Sequence, residues 1–130
     1  MSEYEITEVA APAPAVVEAL RGELRSRGIT EYVVVDHGHD MAAAGVTPHP
    51  AWTLVFGSPQ AGEAILAHEL TAAVDIPLRL AVIGRDGSAS AIVLRPMETL
   101  LDSPELAAKF TGVLRTLATA AAAGATQGAG

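Results

Sequence analysis

The chain has 130 residues, a formal net charge of −7, half of its residues hydrophobic, 18% charged and only 4% aromatic. That length holds one hydrophobic core, and the apolar share excludes an intrinsically disordered chain. Eight basic residues scattered from Arg21 to Arg115 exclude the Lys/Arg surface that nucleic acid needs, and the absence of cysteine excludes disulfides, thiolate catalysis and Cys-ligated zinc.

The start, Met1-Ser2-Glu3-Tyr4-Glu5, has neither a basic region nor an apolar run and does not read as a signal peptide. No apolar stretch approaches the roughly 20 residues a membrane helix requires, so the expected location is the cytoplasm. Tyr4 to Val9 reads as a short strand, broken by Ala11-Pro12-Ala13-Pro14. From Ala15 to Arg27, Val16, Val17, Leu20 and Leu24 recur at helical spacing, with Glu23 and Arg27 four apart in the favourable order. Gly28 then stops the helix, since glycine adopts the left-handed cap freely.

Glu31 to Asp36 is β-branched and reads as a buried strand, and His37 to Gly45 as a loop or a single helical turn. Thr47-Pro48-His49-Pro50 must be extended, because proline disfavours helix in the residue before it. Trp52 to Phe56 is a strand ended by Gly57. Ser58-Pro59 starts a helix to about Glu69, with Ile65 and Leu66 inward. Leu78 to Ile83 and Ala89 to Leu94 flank Asp86-Gly87, a hairpin signal resting on the positive φ of a tight turn. The last helix begins at Ser103-Pro104-Glu105 and buries Leu106, Phe110, Val113, Leu114 and Leu117; Gly112 inside it is costly unless something packs closely on it. With so few aromatics, Trp52, Phe56 and Phe110 are the expected packing centres.

The expected fold is α+β: a mostly antiparallel sheet of about five strands with helices packed on one face, in the order β-α-β-β-α-β-β-α. Residues 1–123 form one domain, and 124–130 form a disordered Ala/Gly tail.

Val35-Asp36-His37, Leu54-Val55-Phe56-Gly57-Ser58-Pro59, Gly62 and Ile76-Pro77-Leu78-Arg79, followed by Asp86-Gly87 and Arg95-Pro96, stand in an order and spacing that resemble domain-of-unknown-function family 302. The resemblance spans Val33 to Pro96. It implies a small α/β layer domain, found mainly in bacteria and archaea, that often forms dimers and has no established biochemical role. The sequence departs from the family pattern at Ser58, where Asn is common, at Glu63, where Thr is usual, and at Arg79, where Lys is common. Glu63 adds a negative charge beside a helix start, which argues against a shared phosphate-like site. Arg79 keeps its charge with a different hydrogen-bonding geometry.

Asp36 and His37 invite a general-base pairing, but neighbours on a strand point to opposite faces, so the competing reading has Asp36 capping a turn and His37 at the sheet rim. His37 and His39, with Asp40, His49 or His68, suit a metal in donor type and match no known ligand spacing, so no metal is assigned. Gly57 and Ser58 place backbone N–H groups at a helix start, without the lysine of a phosphate loop. Arg79 shares a strand face with Ala81 and Ile83, either as a solvated charge or as a carboxylate clamp. The candidate pocket gathers Asp36, His37, Gly57, Ser58 and Arg79, and no cofactor is implied. The first functional reading is a small-ligand-binding homodimer. The alternatives are a hydrolase or lyase using His37 as base and Arg79 as anion clamp, and a protein-interaction module.

Overall fold

Alternation along one strand sets the whole architecture. Leu78, Leu80 and Val82 are 7%, 1% and 0% exposed, while Arg79 between them lies in the open. In the computed structural model, which describes residues 3–128, that strand is the centre of a single sheet. Its members are β1 (Glu5–Val9), β2 (Thr30–Asp36), β3 (Ala51–Gly57), β4 (Leu78–Asp86) and β5 (Ala89–Leu94), in the order β1-β5-β4-β3-β2. All four ladders are antiparallel. Met1 and Ser2, part of the segment read against a signal peptide, lie outside the described residues.

Two helices, α1 (Ala13–Ser26) and α4 (Pro104–Gly128), pack against each other and over the side carrying Leu54, Phe56, Leu80, Val82 and Ile92. In α1 the buried stripe is the expected one, Val16, Val17, Leu20 and Leu24. The helix closes as anticipated. Gly28 takes a φ of 69°, its N–H reaches the Arg25 carbonyl, and the Ile29 N–H reaches that of Leu24. Phe56 and Phe110 are buried and Trp52 is half-buried against the same core.

The order of elements differs from the expectation by one helix. His37 to Ala43 is α2, seven residues long, because Asp36 caps it by accepting the His39 N–H at 2.9 Å. The segment after it is held by close approaches: a Cβ on Gly38 would meet the His49 carbonyl oxygen at 2.8 Å, and one on Gly84 the Pro50 ring at 2.9 Å. Helix α3 (Pro59–His68) starts where the sequence put it. Ser58 Oγ accepts the Ala61 N–H at 3.1 Å, and Pro59 takes the first turn. A 3-10 segment, Leu70–Asp75, leads from it into β4.

Three expectations need correction. Strand β2, read as buried, is an edge strand none of whose residues is fully buried. The β4–β5 hairpin forms without positive φ at Gly87; Asp86 instead accepts the Ser88 N–H at 2.7 Å, and a register shift between Gly84 and Asp86 absorbs the bend. The expected disordered tail is helical as far as Gly128, with Ala129 and Gly130 outside the described residues. Alanine has the strongest helix propensity, and Ala118, Ala121 and Ala125 are buried, so the Ala-rich segment continues α4. Among the described residues, no helix is long and apolar enough to cross a membrane.

Candidate functional site

Strand β3 serves as a ruler for the five residues of the expected pocket. Asp36 pairs with Trp52 near one end of it, and Gly57 stands at the other. At the rise of an extended strand, that separation is about 17 Å. The fold therefore divides the five.

At the Trp52 end, Asp36 spends its carboxylate on capping α2, and His37 turns its ring to Thr53, with Nε2 at 2.8 Å from the hydroxyl. The carboxylate thus does not orient the imidazole. Thr53 alternates with buried Leu54, so His37 rests on the sheet side opposite α1 and α4. Arg79, opposite Val55, is on that same side. It borders a recess of about 160 Å³ with Asp75 and Arg95. Arg95 is already engaged, bonded to Glu3 at 3.1 Å and lying 4.7 Å above the Tyr4 ring. No group of three or more His, Asp or Glu side chains placed to hold a metal ion occurs among the described residues.

Gly57 and Ser58 belong to a different feature. They border a recess of about 390 Å³ between the start of α3 and the segment entering β4. Ile65, Leu66, Ile76, Pro77 and Leu78 give it apolar walls, Tyr32 of β2 closes one side, and Glu63 is its only carboxylate. Neither Asp36, His37 nor Arg79 lines it. A second, smaller hollow of about 160 Å³, against Phe56, Ile29 and Phe110, shares Gly57, Ser58, Ala61 and Leu78 with it. The size and the apolar walls with few polar groups are those of a small-molecule site.

Sequence reasoning missed Tyr32, Glu63, Leu66, Ile76 and Pro77. The one available signal was helix α3 itself. Ile65 and Leu66 both read as inward, yet α3 is covered by the core on a narrower stripe than α1, and the two differ in burial. Ile65 is 3% exposed and Leu66 remains partly open, lining the recess.

Comparison with known proteins gives the same architecture. A family model described as "Domain of unknown function DUF302" matches residues 5–124. The crystal structure of an uncharacterized conserved protein DUF302 from Bacillus stearothermophilus superposes with a TM-score of 0.75 at 15% identity, covering 96% of this chain and 99% of that one, which is a likeness of fold. Among curated proteins, fluoride-specific ion channel FluC 1 of Brucella suis is 32% identical over 72 residues, 55% of this chain and 28% of the channel protein. Its namesake from Brucella abortus matches equally over 26% of its length. The chain thus spans little more than a quarter of the curated relatives it matches.

Proposed function

The chain belongs to the DUF302 family, and from that premise we propose that it is a cytoplasmic binding domain that takes a small, largely apolar molecule between α3 and β4 and works as a homodimer. The observation that carries this reading is the recess of about 390 Å³, walled by Ile65, Leu66, Ile76, Pro77 and Leu78. Burying an apolar ligand there gains roughly 25 cal/mol per Å² of surface removed from water. Ligand binding to the folded form alone raises thermal stability by mass action. A screen of apolar small molecules at a thousandfold excess over their dissociation constants should therefore raise the melting temperature by several degrees. Ala61→Trp, which fills the recess from its α3 wall, should abolish the rise while keeping the helical circular dichroism. A rise that survives Ala61→Trp would sink the reading.

Pairing of two copies is favoured by the side of the sheet that α1 and α4 leave uncovered. Ile6 and Val33 are 50% and 46% exposed there, in one surface with Val55 and Val93. Contiguous apolar surface of that kind marks an interaction site. Light scattering at micromolar concentration should give the mass of a dimer; a monomer mass would contradict it.

A further inference from the structure

The recess also carries information about charge, and this inference rests on the proposal that it binds a small molecule. Among the described residues its border contains one ionisable carboxylate, Glu63, one phenol, Tyr32, and no Lys, Arg or His. Glu63 is exposed and engages no cation among the described residues. Glu3, Glu5, Glu8, Glu18, Glu23 and Glu31 are each paired with an arginine, whereas Glu63, like Glu69, Glu98 and Glu105, forms no ion pair among the described residues. Tyr32 is 50% exposed and borders the same apolar hollow, and the face of an aromatic ring attracts a cation. Both features attract a cation, and the formal charge of −7 on the whole chain repels anions from the entrance.

We propose that the ligand is an organic ammonium: an apolar body seated against Ile65, Leu66, Ile76 and Pro77, with a protonated amine at the mouth held by the Glu63 carboxylate and the Tyr32 ring. A carboxylate or phosphate ligand would meet no Lys, Arg or His at the border among the described residues and would be repelled by Glu63, which leaves only the backbone N–H groups at the start of α3 to receive it. The site thus has the polarity opposite to one built around Arg79.

Three probes of one shape separate the possibilities: 4-phenylbutylamine, 4-phenylbutanol and 4-phenylbutanoate, titrated by calorimetry at neutral pH and low salt. An exposed ion pair together with a cation–π contact is worth about tenfold in affinity, so the amine should bind about ten times tighter than the alcohol. The carboxylate should bind weakest. Glu63→Gln should bring the amine to within about twofold of the alcohol and leave the alcohol unchanged, and 0.5 M salt should narrow the same gap. Equal affinities of amine and alcohol in the wild-type protein, or a tenfold preference that survives Glu63→Gln undiminished, would overturn the ammonium assignment while leaving apolar binding standing. Failure of amine and alcohol alike to bind would overturn both.

Discussion

The two sides of the sheet are built from the same alternating strands and meet different fates. On the side under α1 and α4, Leu54, Phe56, Leu80, Val82 and Ile92 are at most 1% exposed. The two polar residues fully buried among the described residues are both satisfied: Ser90 Oγ donates to the Ala11 carbonyl at 2.8 Å, and Thr111 Oγ1 accepts the Met97 N–H at 2.8 Å. On the other side Ile6, Val33, Val55 and Val93 remain partly wet, and charge appears at the margins, as Arg79 and the Glu8–Arg85 pair. One side is finished by the chain itself; the other is apolar without being closed. A period-two pattern dictates that a strand has two faces, but whether each is a core or a contact surface depends on what the rest of the chain lays over it.

The largest test of that contrast is Phe110→Ala on α4. Truncating this buried ring should cost about 3 kcal/mol or more in urea unfolding, and a loss well under about 1 kcal/mol would mean that α4 does not seal the covered side. Next is Thr111→Val, which keeps shape but leaves the buried Met97 N–H without its acceptor and Glu98 without a donor. It should cost about 2 kcal/mol. The open side should respond differently. Val55→Glu, placed across from Arg79, should change the stability of the monomer by less than about 1 kcal/mol, because its charge stays hydrated and has a cation beside it. The same change should halve the mass seen by light scattering; an unchanged dimer mass would move the interface elsewhere.

The smallest effect is on the acid side. Glu5, Glu8 and Glu98 are held below the ordinary carboxylate value of 4.5, by hydrogen bonds from Arg115, from Arg85 and from the Thr111 hydroxyl respectively. Lowered folded-state values mean that the unfolded chain binds more protons in this range. Their stabilisation is therefore complete above 4.5 and drains away as the pH falls through the lowered values. The urea midpoint should be flat from about pH 7 to pH 5.5 and decline below about pH 4.5. Added salt should flatten the part due to the exposed arginine pairs, and Thr111→Val should remove the part due to Glu98. A midpoint that rose on acidification would contradict the sign.

Much of the scaffold was legible because it depends on local chemistry. Gly28 after an amphipathic run, Ser58-Pro59 and Ser103-Pro104 before one, and the alternation around Arg79 each state a boundary or a face within a few residues. Errors arose where two mechanisms give one outcome. Asp86-Gly87 makes its turn with a side-chain acceptor instead of a left-handed glycine, and Ala118 to Gly128 stays helical because it has a neighbour to pack on. At Gly112 the requirement for a close neighbour fails, since a Cβ there would meet nothing within 4 Å. The site was far less legible. Asp36, His37 and Arg79 attracted notice as polar residues, whereas the recess is made by apolar side chains from β2, α3 and the entry to β4. Such a hollow is a property of the spacing between elements, which no local pattern encodes.

The sheet order has a consequence for how the molecule is made. Ile6 finds its place beside Val93, so the first of the five described strands joins the fifth. The four strands from Thr30 to Leu94 are nearest neighbours in sequence and can zip together as they emerge, but β1 must wait until β5 has been made. Until the helices pack over it, the Ile92 side of β5 has no cover, and that interval is when a nascent chain of this kind is most exposed to sticking to its neighbours.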